Sequence, residues 1–255
     1  MRKKHDSLTP QLAKVAGLYS DRARRTHGQV IAEGPQAARE ALTHGRDRVR
    51  DVYLTEARDA EFTGLTGGVW THVVPGEIMA RISGTCQGII VVLDASAPAS
   101  LDILAGAGLA VLAAEMQDPG NAGTLIRTAD AAGCVAVIFG RGGVDPASPK
   151  VVRSAAGSTF HLPVIANADP LAVMTRARAE GMVVRAADAR GETSIASLEP
   201  APTLWVIGNE ARGLTDEIRA SCDELVSIPI LGQAESLNAS IAAALCLYAG
   251  IIKGE

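Results

Sequence analysis

Five short apolar runs, at 109–114, 134–139, 182–187, 203–207 and 225–230, narrow most sharply what this chain can fold into. They are rich in Ala, Val, Ile and Leu, are bounded by Gly, Pro or Asp, and lack a regular polar alternation. Runs of that kind are buried on both faces, as parallel strands covered by helices are. Helical stretches at about 121–132, 169–180 and 237–252 lie between or after them. The later part of the chain is therefore predicted to be an α/β domain built on a parallel sheet.

The first 95 residues read differently. Residues 8–19 place Leu8, Leu12, Val15 and Leu18 at helix-like spacing, and the polar, basic run 20–27 interrupts them. Residues 29–32 read as a strand, and Gly34-Pro35 opens a helix through about Leu42, with proline at a tolerated first-turn position. Strands are also expected at 49–54 and 89–93, giving a smaller α/β module. Residues 95–100 (ASAPAS) have linker composition. The expected division is a first domain over 1–95, a linker over 96–106 and a second domain over 107–255.

The net charge of −4 is unevenly spread: residues 1–50 carry +6 and the remainder −10. Arg22, Arg24 and Arg25, with Lys3 and Lys4, form a basic end suited to a phosphate backbone. A solvated basic terminus would have the same composition. Aromatic residues make up only 3%, so stacking of bases on an aromatic platform is not the main mode of contact. Cys86, Cys134, Cys222 and Cys246 form no C-x-x-C pair, so reduced thiols and no bound metal are expected. No apolar run is long enough for a bilayer, and no signal-like core follows the basic N-terminus. A soluble, cytoplasmic protein without a membrane partner is the expectation.

Three segments carry polar groups where chemistry can be done. Residues 118–129 (DPGNAGTLIRTA) follow a strand, turn at Pro-Gly and enter a helix near Asn121, a good N-cap residue. Leu125, Ile126 and Ala129 can face the core while Thr124 and Arg127 share the other side, where a guanidinium can grip a phosphate bidentately. Residues 205–214 (WVIGNEARGL) run an apolar strand straight into Gly-Asn-Glu, at the edge where open α/β sheets bind ligands. Residues 228–240 (IPILGQAESLNAS) leave another strand and start an almost wholly apolar helix at 236–238. Taken singly, each segment could be an ordinary cap or turn.

Taken together, they resemble the three signature motifs of the SpoU/TrmH family of SPOUT-class RNA 2′-O-ribose methyltransferases. Asn121, Gly123 and Arg127 match its N-x-G-x-x-x-R core. Gly208, Asn209, Glu210 and Gly213 match its G-N/S-E-x-x-G loop. Residues 228–240 match I-P-M-x-G-x-x-x-S-L-N-x-S, with Ile230 where Met is commoner. Residues 149–154, with Gly157 beyond, resemble the helix before the family's middle strand. Glu33-Gly34, with Ser83-Gly84-Thr85 and Gln87-Gly88-Ile89, resembles its N-terminal substrate-binding domain, which is related to ribosomal proteins that bind kinked RNA.

The resemblance implies a deep trefoil knot in the C-terminal domain and a homodimer made through that domain. It implies S-adenosyl-L-methionine as cofactor, held against Gly208, Ile228 and Leu237, with Ile207, Ile230 and Ser236 beside them. Asn121, Arg127, Glu210 and Asn238 become the catalytic candidates, and Arg153 joins Arg22, Arg24 and Arg25 as an RNA contact. The reaction implied is methylation of a ribose 2′-hydroxyl. The separate front domain favours 23S ribosomal RNA. The same chemistry on tRNA, or a non-catalytic RNA-binding protein on this fold, are the alternatives. Arg127 has two possible jobs, because guanidinium is essentially always protonated. It either takes the hydroxyl proton with help from an RNA phosphate, or clamps that phosphate while water takes the proton. A nicotinamide dehydrogenase is disfavoured, since the first strand–helix turn, Asp-Pro-Gly-Asn, is not glycine-rich at the required spacing.

Overall fold

Proline at the first turn and a polar cap before it start many of the helices here. Thr9, Asp118, Ser148 and Asp169 each precede a proline and each accept a backbone N–H from the first turn. The computed structural model describes residues 1–85, 87–97 and 99–253. Cys86, Pro98 in the expected linker, and residues 254 and 255 lie outside the described residues. Two compact units result: Met1–Ala97 with Ala147–His161, and Pro98–Pro146 with Leu162–Glu255.

The first unit contains β1 (Arg2–Lys4), α1 (Pro10–Gly17), α2 (Asp21–His27), β2 (Gln29–Glu33), α3 (Pro35–His44), β3 (Val49–Leu54), α4 (Glu56–Phe62), β4 (Trp70–Val73), α5 (Gly76–Ile82) and β5 (Ile89–Asp94). Its sheet has the order β1-β4-β3-β5-β2, with β5 antiparallel to both neighbours. Leu12, Leu18, Tyr53 and Ile78 belong to one buried apolar cluster, and Ala38, Leu42, Phe62 and Leu93 to another. The basic run read as an interruption is a helix, because the Ser20 hydroxyl accepts the Ala23 N–H and starts α2.

The remaining elements are β6 (Leu109–Ala113), α6 (Pro119–Ala131), β7 (Val137–Gly140), α7 (Pro149–Ser154), β8 (Val164–Ala168), α8 (Pro170–Ala179), β9 (Val183–Ala187), β10 (Thr193–Ser194), β11 (Thr203–Ile207), α9 (Asp216–Ala220), β12 (Glu224–Ser227) and α10 (Ala239–Lys253). The second unit's sheet is parallel throughout, in the order β10-β12-β9-β11-β6-β7-β8. The five apolar runs supply its five contiguous inner strands, β12 to β7. The sequence reading missed the two edge strands, β8 with its polar Asn167 and the two-residue β10.

Helix α7 belongs to the first unit, although the chain has by then already built β6 and β7. Val152 is buried in the cluster with Phe62 and Leu93. Arg153 donates to the Glu33 carboxylate at 2.9 Å. A contiguous division of the chain does not anticipate this return. Cys134, Cys222 and Cys246 are free thiols, and burial pushes them up to about 12, 11 and 12. Among the described residues, no helix is long and apolar enough to cross a membrane.

Candidate active site

Strands β6 and β11 are neighbours, paired from Thr203↔Leu109 to Ile207↔Ala113, and their chains leave the sheet at the same edge. The turn after β6 begins α6 earlier than the asparagine reading places it. Proline needs no N–H partner and fixes its own φ, so Pro119 takes the first turn and Asp118 becomes the cap. Asp118 Oδ1 accepts the Asn121 N–H at 2.8 Å. The Asn121 side chain is thereby released from capping and reaches two other segments.

One of these is the loop after β11. Asn209 and Gly213 exchange two backbone hydrogen bonds of 2.9 Å, closing the loop on itself. The Asn209 carboxamide accepts from the Ala211 and Arg212 amides and donates to the Glu115 carbonyl, tying this loop to the one after β6. A Cβ at residue 208 would lie 2.5 Å from the Gly213 carbonyl carbon, so only glycine fits there. The closed loop presents Glu210 to α6. Its carboxylate accepts from the Gln117 amide (3.2 Å), the Asp118 amide (3.1 Å) and Asn121 Nδ2 (3.2 Å). Partial burial pushes this carboxyl upward. Its own backbone N–H, Asn121 and the Asp118 and Gln117 amides outweigh that and hold it below the ordinary glutamate value.

The other segment starts α10. Asn238 Oδ1 accepts the Ser240 and Ile241 amides, at 2.9 and 3.3 Å, and the Ser240 hydroxyl at 2.7 Å. Asn238 Nδ2 donates to Asn121 Oδ1 at 2.9 Å. Glu210, Asn121 and Asn238 therefore form one hydrogen-bonded chain through three segments remote in sequence. Arg127 is not part of it. It lies six residues further along α6, on a different face, and is exposed. Among the described residues it has no hydrogen-bond or ion-pair partner.

Beside Glu210 opens a cavity of about 350 Å³. Ile207, Gly208, Ile228, Ile230, Ser236 and Leu237 all line it. Its walls are mainly aliphatic side chains and loop backbone, and its size falls in the range of small-molecule sites.

The arginines read as RNA contacts divide. Arg22 and Arg25 are exposed on α2, with Arg25 paired to Asp21 at 2.9 Å. Arg24 must be corrected: it is 6% exposed and donates to the Leu18 and Tyr19 carbonyls, both at 3.1 Å. Helical periodicity turns it inward between its two neighbours. Arg153 is also engaged within the protein, holding the fully buried Glu33 carboxylate.

A sequence model described as the SpoU rRNA Methylase family matches residues 108–248, which include every residue of the hydrogen-bonded chain. The chain belongs to that family. It is 38% identical over 146 residues to the 23S rRNA (guanosine(2553)-2′-O)-methyltransferase RlmP of Bacillus subtilis, a match covering 57% of this chain and 58% of that protein. Against the 23S rRNA (guanosine-2′-O-)-methyltransferase RlmB of Bordetella pertussis, identity is 30% over 247 residues, covering 93% of this chain and 96% of the relative. The crystal structure of the SpoU methyltransferase AviRb from Streptomyces viridochromogenes, in complex with the cofactor AdoMet, matches with a TM-score of 0.86. Its identity is 28%, with 97% of this chain and 98% of that one covered.

Within this SpoU-family site, sequence reasoning overlooked Gln117 and Asp118, whose amides hold Glu210, and gave Asn209 and Ser240 no role. The Asp-Pro pair was the available signal for Asp118, because an acidic residue before a first-turn proline is a common way to start a helix.

Proposed function

We propose that the protein is an S-adenosyl-L-methionine-dependent RNA methyltransferase acting on a ribose 2′-hydroxyl, with 23S ribosomal RNA as the favoured substrate. The convergence of Glu210, Asn121 and Asn238 into one hydrogen-bonded chain, with Glu210 itself lining the aliphatic cavity, carries this reading. The cavity fits the cofactor chemically, with aliphatic walls for an adenine face, loop backbone for its ring edges and no lysine or arginine besides Arg212 to oppose a sulfonium. Gly208, Ile228 and Leu237 would hold it, with Ile207, Ile230 and Ser236 completing the wall. Bound there, the cofactor supplies an electrophilic methyl group on a sulfonium sulfur.

The protein's own part is orientation. Glu210 stays ionised and anchors the start of α6, so the Asn121 carboxamide is held from both ends and offers a fixed polar surface to a ribose. Arg127 clamps the RNA phosphate with its planar fork, and its permanent charge makes water or the phosphate the better acceptor for the hydroxyl proton. Arg22 and Arg25 on the first unit add phosphate contacts that read little sequence.

A homodimer through α10 is supported by the exposure of Ile241, Leu245 and Ile252 along that helix, at 51%, 45% and 70%. Family membership favours a trefoil knot, with the C-terminal chain threading through an earlier loop, and a cytoplasmic location where ribosomal RNA is made. Incubation with labelled S-adenosylmethionine and unmodified ribosomal or transfer RNA, followed by mapping of the 2′-O-methyl group, tests the whole reading. Incorporation into 23S RNA supports it. Incorporation into tRNA alone would move the substrate, and none into either RNA would overturn it.

A further inference from the structure

Away from this site, two histidines and a glutamate converge within the first unit. Glu40 and His44 are one turn apart on α3, and His161 closes the segment 147–161. His44 Nε2 lies 3.5 Å from Glu40 Oε2, and His161 Nε2 lies 3.3 Å from the same oxygen. The two rings meet edge to face with centroids 4.7 Å apart. All three ligand atoms fall within 4.8 Å of one another, and among the described residues no other three His, Cys, Asp or Glu groups do so.

An exposed helix surface with two His–Glu ion pairs is the simplest account of such a cluster. Its distances favour another. Charge-assisted hydrogen bonds contract to about 2.7–2.9 Å, so the His161–Glu40 hydrogen bond of 3.3 Å and the His44–Glu40 pair at 3.5 Å are both long for that class. Ligands held about 2.0–2.1 Å from a tetrahedral ion are instead separated by about 3.3–3.4 Å along the tetrahedron edge. Both observed separations lie at or close to that edge.

The surroundings hold the carboxylate in place. Glu40 Oε1 accepts from Gln36 Nε2 at 2.9 Å, leaving Oε2 to face the two imidazoles. Gly157, at φ +107°, crosses directly over Glu40, where an added Cβ would collide with the Glu40 side chain.

We propose that Glu40, His44 and His161 bind a divalent ion of the zinc class, which fastens the end of segment 147–161 to α3. Two neutral imidazoles and one carboxylate suit Zn²⁺, Co²⁺ or Ni²⁺, whereas Mg²⁺ and Ca²⁺ require oxygen ligands. Three protein ligands leave the fourth position to water.

Full-length protein stripped with a chelator and titrated calorimetrically with zinc chloride should bind one ion per chain at this site. Cobalt loading should give the intense visible absorption of a tetrahedral centre. His44→Ala, His161→Ala and Glu40→Gln should each weaken zinc binding by about 100-fold or more, at least the loss that outer-shell changes reach. His27→Ala, which removes an exposed histidine on α2, should leave binding unchanged. Zinc should raise the melting temperature of the wild type and of His27→Ala, but not that of His44→Ala. The melting temperatures without metal separate a binding defect from a folding one. Absence of zinc binding by the wild type, or undiminished binding by His44→Ala and His161→Ala, would overturn the proposal.

Discussion

Asn238 joins the start of α10 to α6: its Oδ1 accepts the Ser240 and Ile241 amides while its Nδ2 donates to Asn121 Oδ1 at 2.9 Å. One side chain thus both starts a helix and fixes the residue facing Glu210, and substitution can separate the two tasks. Asn238→Ala removes both, with a capping loss of about 1 kcal/mol in urea unfolding. Asn238→Asp keeps the cap acceptor but loses the donor. It should retain wild-type stability yet methylate about 100-fold more slowly, the size of effect that misplacing a positioned group produces. Equal activity of Asn238→Asp and wild type would remove the Asn238–Asn121 bond from catalysis.

Asn121→Ala and Glu210→Ala should each lose methyl transfer by a similar factor while keeping the far-ultraviolet circular dichroism of the wild type. Near-wild-type methylation by either variant removes that residue from the site.

Arg127 is exposed and has no partner among the described residues, so Arg127→Lys should leave the melting temperature unchanged. Turnover should nevertheless fall by about 100-fold or more, because Lys keeps the charge but lacks the planar fork. Single-turnover kinetics against a saturating RNA distinguishes this from weakened RNA affinity.

The Glu210 carboxyl is held below its ordinary value, so it adds stability that is present above the unfolded-state pKa and disappears as pH falls through the folded-state pKa. Glu210→Gln should therefore be less stable than wild type at neutral pH, and the gap should narrow as pH falls below the ordinary glutamate value and through the lowered folded-state one. A gap of constant size would assign the effect to lost packing.

The three arginines of α2 should behave as two classes. Neutralising Arg22 and Arg25 should lower the slope of log binding constant against log salt by about 1.5, at roughly 0.7–0.9 for each phosphate left without its arginine, with no loss of stability. Arg24→Ala should instead destabilise the first unit by about 2–3 kcal/mol, because a charged donor leaves two backbone carbonyls. For the proposed dimer, Leu245→Asp should yield a folded monomer in sedimentation velocity.

Legibility followed how local each signal was. The inner strands of the second sheet could be read because burial on both faces makes them continuously apolar. Strand β8 could not, since its edge position tolerates Asn167. The motifs named Asn121, Glu210 and Asn238 as a set, but not how they connect. That connection depends on Asp118 taking the cap, and a single proline decided it. Arg24 was misread because charge counts along the sequence ignore which face of a helix a residue occupies. The excursion of residues 147–161 has no local signature at all: Val152 and Arg153 look like any amphipathic turn until Phe62 and Glu33 are placed beside them.

That excursion also bears on the order of events during synthesis. The ribosome has produced every strand of the first sheet by Asp94, yet Val152 and Arg153 emerge about 60 residues later. At roughly 5–20 residues per second, this is a delay of about 3–12 s. Until then Glu33 lacks its arginine and the cluster around Phe62 lacks Val152 and the flanking Phe160. The first half of the protein therefore waits for the second to begin, and their maturation overlaps in time instead of running in sequence.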